Sequence, residues 1–280
     1  IFNFKRFFIS ICVKIYTSNY EILTGGIMKI AVVTGSASGI GACIMTRLEA
    51  QGYSVIGIDL QGQEIDADLS TPEGRQYAIN TTLKLSNNRI DKLVLAAGVG
   101  GHIENGQLVA KVNYFGCIEL LDGFKSVLEK SNGRVVVISS NSAQMRTDPE
   151  NIIIKHLLEE NEAKAMVEIG DAHGAQIYAL SKHAVARAIR RRSSDWGKLG
   201  ITLNAIAPGQ TETPMFRGAA DHPEIGKSVG MIPIPKKRVA RADEIAGVIE
   251  FMLSDSADYM QGSIIYVDGG TDAQLRPDEF

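Results

Sequence analysis

Three cysteines, Cys12, Cys43 and Cys117, are all that this chain of 280 residues carries, and no two form a C-x-x-C pair. An odd and widely spaced set supports neither a disulfide framework nor a zinc site, so no metal is expected, and a reducing, cytoplasmic compartment is. Basic residues are not in excess either. The formal net charge of -3 leaves nothing to hold a phosphate backbone, which sets nucleic acid aside as a partner. Long apolar runs are also missing. Phe7 to Val13, flanked by Lys5, Arg6 and Lys14, has the shape of a signal-peptide core, yet no convincing small-residue cleavage pattern comes after it. It falls well short of the roughly 20 residues needed to cross a bilayer, so no membrane partner is expected. The chain shows no internal repeat, low-complexity tract or interdomain linker.

Ile1 to Tyr20 is rich in Phe, Ile, Lys and Asn and contains no glycine or proline, unlike the remainder of the chain. The sequence does not begin with Met, and Met28 directly precedes the first strand pattern. Residues 1–27 are therefore read as a mis-assigned start or a loose extension, with a targeting or membrane-surface segment as the alternative. Residues 28–280 read as one domain, and a hydrophobic content of 45% is enough to build its core.

From Met28 onward, short β-branched runs alternate with longer helical patterns. This rhythm gives βαβ units and a parallel sheet covered by helices on both faces. Strands are expected at Lys29 to Thr34, Ser54 to Asp59, Lys92 to Ala96, Arg134 to Ser139, Ile201 to Ala205 and Ser263 to Val267, with a short one near Ile65. Helices are expected over Ile40 to Ala50, Pro72 to Leu85, Gly106 to Glu129, Ala175 to Trp196 and Arg241 to Leu253. The class is thus α/β, doubly wound, with a mostly parallel sheet of seven strands. Two segments break the rhythm. Asp148 to His173 reads as extra helix, and Gly209 to Arg238, with four of the eight prolines, reads as a functional loop.

The first strand runs into Thr34-Gly35-Ser36-Ala37-Ser38-Gly39-Ile40-Gly41, a glycine-rich turn that opens a helix. Gly35 suits the tight turn, Gly39 lets backbone N–H groups approach a pyrophosphate, and Gly41 allows close packing of helix on strand. This is the Rossmann arrangement for a dinucleotide. Asp59 ends the second strand 18 residues beyond Gly41, where a carboxylate accepts from both hydroxyls of an adenosine ribose and repels a 2′-phosphate. No Arg or Lys stands between Gly35 and Gly41, so NAD is expected in preference to NADP. Asp68, with Leu69 beside it, is a candidate for the adenine amino group. Ala97-Gly98, after the fourth strand, leaves room for a nucleotide close over the sheet edge.

Tyr178 and Lys182 stand four apart on a helical pattern and so share one face. A tyrosine with a pKa of about 10 is a poor base at neutral pH, but a nearby ammonium and a positive nicotinamide ring favour its phenolate. Ser140 closes a strand, where its hydroxyl can bind a substrate oxygen and stabilise developing charge. Asn113 lies inside a helical pattern that its low propensity does not help, which hints at a side-chain or water contact.

Taken together, the 34–41 turn, Ala96-Ala97-Gly98, Asn113, Ser140, Tyr178 with Lys182, Pro208-Gly209 and Asp268-Gly269-Gly270 resemble the short-chain dehydrogenase/reductase family in their order, from Met28 to Phe280. The resemblance implies a catalytic tetrad. Tyr178 is its acid/base, Ser140 polarises the substrate oxygen, Lys182 binds the nicotinamide ribose and lowers the tyrosine pKa, and Asn113 holds a proton-relay water. It also places Pro208, Gly209 and Thr211 to Thr213 along the nicotinamide half of the cofactor.

Ser140 and Tyr178 are 38 residues apart, far more than in most members, because Asp148 to His173 is inserted. With this insertion, Asn113-Tyr114-Phe115-Gly116, Thr211-Glu212-Thr213-Pro214 and the ending Leu275 to Phe280, the chain is similar to the 3α-hydroxysteroid dehydrogenase/carbonyl reductase branch. Coniferyl-alcohol dehydrogenases are the rival. A further departure is Ala96, where many members have Asn; it is expected to alter local cofactor contacts and not to abolish binding. The resemblance also implies a homodimer, the inserted helices covering a surface that many relatives use to form tetramers; an insertion that merely decorates the surface is the alternative.

Met215, Phe216, Met231, Ile232, Pro233, Ile234 and Pro235 form an apolar set suited to a lid, and Met145 is a further wall candidate. The expected substrate is a bulky apolar or aromatic alcohol or carbonyl compound. The reading is an NAD-dependent oxidoreductase interconverting a secondary alcohol and a ketone. An aryl-alcohol dehydrogenase of the same family and a non-catalytic NAD-binding regulator are the alternatives.

Overall fold

The computed structural model describes residues 28–144, 148 and 150–279. Residues 1–27 and Met145 lie outside them, and with them the expectations for both.

The chain begins with β1 (Ile30–Thr34), α1 (Gly39–Ala50), β2 (Ser54–Asp59), β3 (Ile65–Asp66) and α2 (Pro72–Leu85). Next come β4 (Lys92–Leu95), α3 (Gly106–Ala110), a π-helical turn (Lys111–Gly116), α4 (Cys117–Gly123) and α5 (Lys125–Glu129). β5 (Arg134–Ile138) leads through a 3₁₀ turn (Asn141–Gln144) to α6 (Ile152–Leu158), α7 (Glu162–Ile169) and the long α8 (Gly174–Lys198). The remaining elements are β6 (Thr202–Pro208), β7 (Thr211–Glu212), α9 (Pro214–Ala220), α10 (Ile225–Gly230), β8 (Ala240–Arg241), α11 (Ala242–Met252), β9 (Ile264–Val267) and α12 (Thr271–Leu275).

Seven strands form one sheet in the order β3-β2-β1-β4-β5-β6-β9, every pair parallel. The central strands read as unbroken apolar runs because both of their faces are buried. Their side chains alternate between two cores. Val32, Leu93, Leu95, Val135 and Val137 enter one core, where Ile177, Val185 and Ile189 of α8 pack. Ala31, Val33, Val94 and Val136 enter the other, against Ile44 and Leu48 of α1 and Ile245 and Ile249 of α11. The spacing of four within each helical pair puts both side chains on one stripe. Leu48 is fully buried, so truncating it to alanine costs about 2–5 kcal/mol.

Strand order reverses between β1 and β4, leaving a crevice above the carboxyl ends of the strands, where an open α/β sheet takes its ligands. The insertion is helical as expected. Asn151 and Asn161 cap α6 and α7, and Ile154, Leu157, Ala165 and Ile169 are buried. Arg75 of α2, itself buried, reaches Glu119 at 2.8 Å and Glu162 of α7 at 2.6 Å.

The single helix expected from Gly106 to Glu129 is instead broken by the π turn and again at Phe124. Gly209 to Arg238 is less irregular than its prolines suggest, since it holds β7, α9 and α10. Among the described residues no helix is long and apolar enough to cross a membrane.

Candidate active site

Gly35 takes φ +67° and its N–H donates to the Ile58 carbonyl at 2.8 Å. A methyl group there would fall 2.7 Å from the Ala97 nitrogen, and one at Gly41 only 2.0 Å from the Gly35 carbonyl oxygen. The turn therefore folds tightly against the segment that follows β4 and against the start of α1. Ser38 is the N-cap of α1 but its side chain caps nothing, and the first turn has no acidic residue. The N-terminal N–H groups and positive dipole end of that helix are thus left to an anion. Thr34 Oγ1 accepts from the Ala96 and Ala97 nitrogens, each at 3.0 Å, which fixes the path of the chain towards Gly98.

Asp59 sits at the end of β2, its carboxylate accepting from the Ala37 nitrogen at 2.9 Å and the Leu60 nitrogen at 2.7 Å. Asp68 lies beyond the end of β3, not on it, and accepts from the Ser70 nitrogen at 2.9 Å. Both border a cavity of about 760 Å³, as do Gly35, Ser38, Gly39, Ile40, Gly41, Leu69, Ala97 and Gly98.

The same cavity runs on past Ser140, Tyr178 and Lys182. Ser140 follows β5 and shares the lining of this cavity with Tyr178. Its Oγ accepts from the Ser142 nitrogen at 3.2 Å and lies 2.9 Å from Ser142 Oγ. Lys182 is buried, donates from Nζ to the Ile138 carbonyl at 2.8 Å, and stands 6.0 Å from the centre of the Tyr178 ring. Burial pushes the Tyr178 phenol above its ordinary value, and Ser140 opposes that rise. Burial also brings the Lys182 ammonium down to about 8.

Asn113 occupies the π turn, a form of helix often found at functional sites. Its amide is locked to Val99, accepting from the Val99 nitrogen at 2.8 Å and donating to its carbonyl at 3.0 Å. Gly98 lies between the parts of the site: a methyl group there would meet Asn113 Oδ1 at 3.0 Å and Lys182 Nζ at 3.6 Å.

Pro208, Gly209, Thr211 and Thr213 line the cavity opposite. The Thr213 hydroxyl caps α9, accepting from the Phe216 nitrogen at 3.1 Å. Of the apolar set, Met215, Phe216 and Ile232 face the cavity. The others do not line it. Met231 is exposed, whereas Ile234 and Pro235 pack on Gly269 and Gly270.

His102 and Ser142 also line the cavity and are not evident from the sequence. The His102 ring is wedged between two glycines: a methyl at Gly100 would fall 2.6 Å from Nδ1, and one at Gly218 would fall 2.7 Å from Nε2. The Gly100-Gly101 pair is the one sequence signal that points to this crowding. Among the described residues no group of three or more His, Cys, Asp or Glu is placed to hold a metal ion.

A glycine-rich turn and a Ser-Tyr-Lys cluster opening on one cavity above a parallel sheet define a class. The chain matches the short chain dehydrogenase family over residues 29–150 and a family described as Enoyl-(Acyl carrier protein) reductase over residues 163–272. The 3-alpha-hydroxysteroid dehydrogenase/carbonyl reductase of Comamonas testosteroni is 41% identical over 257 residues, covering 90% of this chain and 100% of that protein. The chain belongs to the short-chain dehydrogenase family and is an oxidoreductase.

The crystal structure of the 3-alpha-hydroxysteroid dehydrogenase from Pseudomonas sp. B-0831 complexed with NADH aligns with a TM-score of 0.88 at 37% identity, over 90% of this chain and 100% of that one. The coniferyl-alcohol dehydrogenase of Pseudomonas sp. (strain HR199 / DSM 7063) is 31% identical, over 86% of this chain and 96% of that protein.

Proposed function

We propose that the protein is an NAD(H)-dependent dehydrogenase that interconverts a secondary alcohol and a ketone on a bulky apolar or aromatic substrate, with Tyr178 as the acid/base. The carrying observation is that Ser140, Tyr178 and buried Lys182 line the same cavity as the glycine-rich turn. The relatives named for hydroxysteroid and carbonyl chemistry support the substrate class.

The uncapped start of α1 fits a pyrophosphate and Asp59 fits an unphosphorylated ribose, which favours NAD over NADP. When bound, the nicotinamide supplies or accepts the hydride. Gly35, Ser38, Gly39, Ile40, Gly41, Asp59, Asp68, Leu69, Ala97, Gly98, Pro208, Gly209, Thr211 and Thr213 are the residues proposed to hold this cofactor, together with Tyr178 and Lys182. During alcohol oxidation the Tyr178 phenolate takes the hydroxyl proton, and in reduction the phenol returns it. Ser140 donates to the substrate oxygen. Lys182 keeps positive charge near that oxygen and is proposed to hold the nicotinamide ribose. The Asn113 side chain is occupied by Val99, so its main chain is the part left for a relay water. Met215 forms part of the substrate wall.

We read the protein as cytoplasmic, in keeping with the free thiols of Cys43 and Cys117, and as a homodimer, in keeping with α6 and α7 covering one flank. Sedimentation analysis tests the latter.

The function is tested with Tyr178→Phe. Turnover is expected to fall about 10²–10⁴-fold while NADH affinity, followed by fluorescence, stays near wild type. Wild-type turnover would overturn the assignment. A panel of ketones and aryl aldehydes with NADH separates this reading from an aryl-alcohol dehydrogenase, which prefers the aldehydes. Tight NADH binding without oxidation across the panel would mark a regulator.

A further inference from the structure

We propose that Ser142 is a positioning residue for this reaction: it holds the Ser140 hydroxyl in the donor orientation towards Tyr178. The inference rests on the reading of Tyr178 as acid/base and Ser140 as its partner.

A serine hydroxyl has one proton and two lone pairs. One lone pair of Ser140 Oγ is taken by the Ser142 backbone N–H at 3.2 Å, a bond that can run only one way. The other lone pair and the proton are left for Ser142 Oγ at 2.9 Å and for Tyr178, whose phenol Ser140 pulls down against the rise from burial. When Tyr178 is a phenolate it can only accept. Ser140 must then donate to Tyr178, which obliges Ser142 Oγ to donate to Ser140. When Tyr178 is a phenol, the row can also run backwards, from Tyr178 through Ser140 to Ser142. The Ser142 hydroxyl is thus compulsory as a donor only in the ionised state, and it favours that state.

The backbone keeps Ser142 at this distance. It lies in the 3₁₀ turn, where the Ala143 nitrogen donates to the Ser140 carbonyl at 3.1 Å. His183 of α8 donates from Nδ1 to the Ala143 carbonyl at 2.7 Å, and Ser139 Oγ donates to the Lys182 carbonyl at 2.9 Å. The turn is thereby clamped to the helix that carries Tyr178. Removing Ser142 Oγ takes away the donor that polarises the Ser140 hydroxyl towards the phenolate. That stabilises the protonated tyrosine and adds to the rise that burial already causes.

The ionisable groups around the pair are Lys182, His183 against Ala143, and Cys117, which acts on Lys182 and whose own thiol burial pushes up to about 12. Ser142→Ala alters none of them.

The test compares Ser142→Ala and Ser142→Thr with Ser140→Ala and Tyr178→Phe in the full chain. For alcohol oxidation at neutral pH, Ser142→Ala is expected to lower kcat about 3- to 10-fold, the worth of one hydrogen bond, with KM nearly unchanged. The acid limb of kcat/KM moves up by about half to one pH unit, and Ser142→Thr restores both. An ultraviolet phenolate titration, taken as the difference from Tyr178→Phe, shows the same shift without any substrate. Wild-type kcat, or lost kcat with an unmoved acid limb and titration, would overturn the role of Ser142. Wild-type turnover in Tyr178→Phe and Ser140→Ala would instead overturn the functional reading on which it stands.

Discussion

Lys182 Nζ donates to the carbonyl of Ile138 at 2.8 Å, so the ammonium is tied to the end of β5 while the side chain is almost wholly enclosed. Enclosure without a carboxylate brings its pKa from 10.5 down to about 8. Below pH 8 both folded and unfolded chains carry the proton, and the cost of burying the charge is present in full. Between about 8 and 10.5 the unfolded chain keeps a proton that the folded one has lost, so stability rises with pH. Lys182→Met has no such titration. Relative to that variant, the wild-type protein without nucleotide is expected to gain up to about 3 kcal/mol across this range and nothing below it. Denaturant melts in a pH series check this, and a constant difference from neutral to alkaline pH would show that the charge is not buried.

The glycines of the cofactor turn are expected to differ from glycines elsewhere by what surrounds them, not by backbone angle alone. Gly52 has φ +85° and nothing within 4 Å of a would-be methyl, so Gly52→Ala costs about 1–2 kcal/mol, the ordinary left-handed penalty. Gly41 has the reverse problem. Its methyl would meet backbone at 2.0 Å, and a carbonyl cannot rotate away as a side chain can. Gly41→Ala is expected to cost more than about 3 kcal/mol and to abolish NADH binding. Equal unfolding midpoints for the two variants would contradict the packing described at the turn.

The glycines of this turn are legible in the sequence, because a glycine pattern between a strand and a helix has one geometric use. The central strands are legible for a similar reason, as each is a run buried on both faces. Features that stay hidden depend on contacts from far along the chain. The π turn interrupts a continuous helical pattern because the Asn113 amide pairs with Val99, a loop residue that periodicity does not register. β6 runs on to Pro208, past the expected end at Ala205, because Ala207 and Pro208 pair with Tyr266 and Val267 of β9. A proline reads as a strand breaker until its neighbour on the sheet is known. Ser142 and His102 carry no motif, and only the closed fold brings them to the cavity.

Asp59 is anchored by two backbone N–H groups, so its charge is held in place beside the turn. A 2′-phosphate brought there would meet a like charge within a few ångströms, worth about 1–4 kcal/mol between water and a protein surface. Asp59→Ala is expected to raise the NADPH to NADH ratio of kcat/KM by about 10- to 100-fold, mainly through KM. Steady-state kinetics with both nucleotides measures it. An unchanged ratio would mean that discrimination lies elsewhere in the turn.

Arg75 shows how the inserted helices are fastened. Its side chain is 1% exposed, whereas Glu119 and Glu162 are 41% and 24% exposed, so the guanidinium is buried and its partners reach in from the rim. Either carboxylate alone still offsets the charge. Losing both charges leaves a buried cation with neutral acceptors alone, the glutamine amides and the Leu69 carbonyl at 3.4 Å. The double variant Glu119→Gln with Glu162→Gln is therefore expected to cost about 3–5 kcal/mol, and each single variant about 1 kcal/mol or a little more. Arg75→Met removes the charge together with the need for partners and is expected to cost less than the double variant. If the two single effects simply add to the double one in denaturant unfolding, the carboxylates act separately and neither stands in for the other.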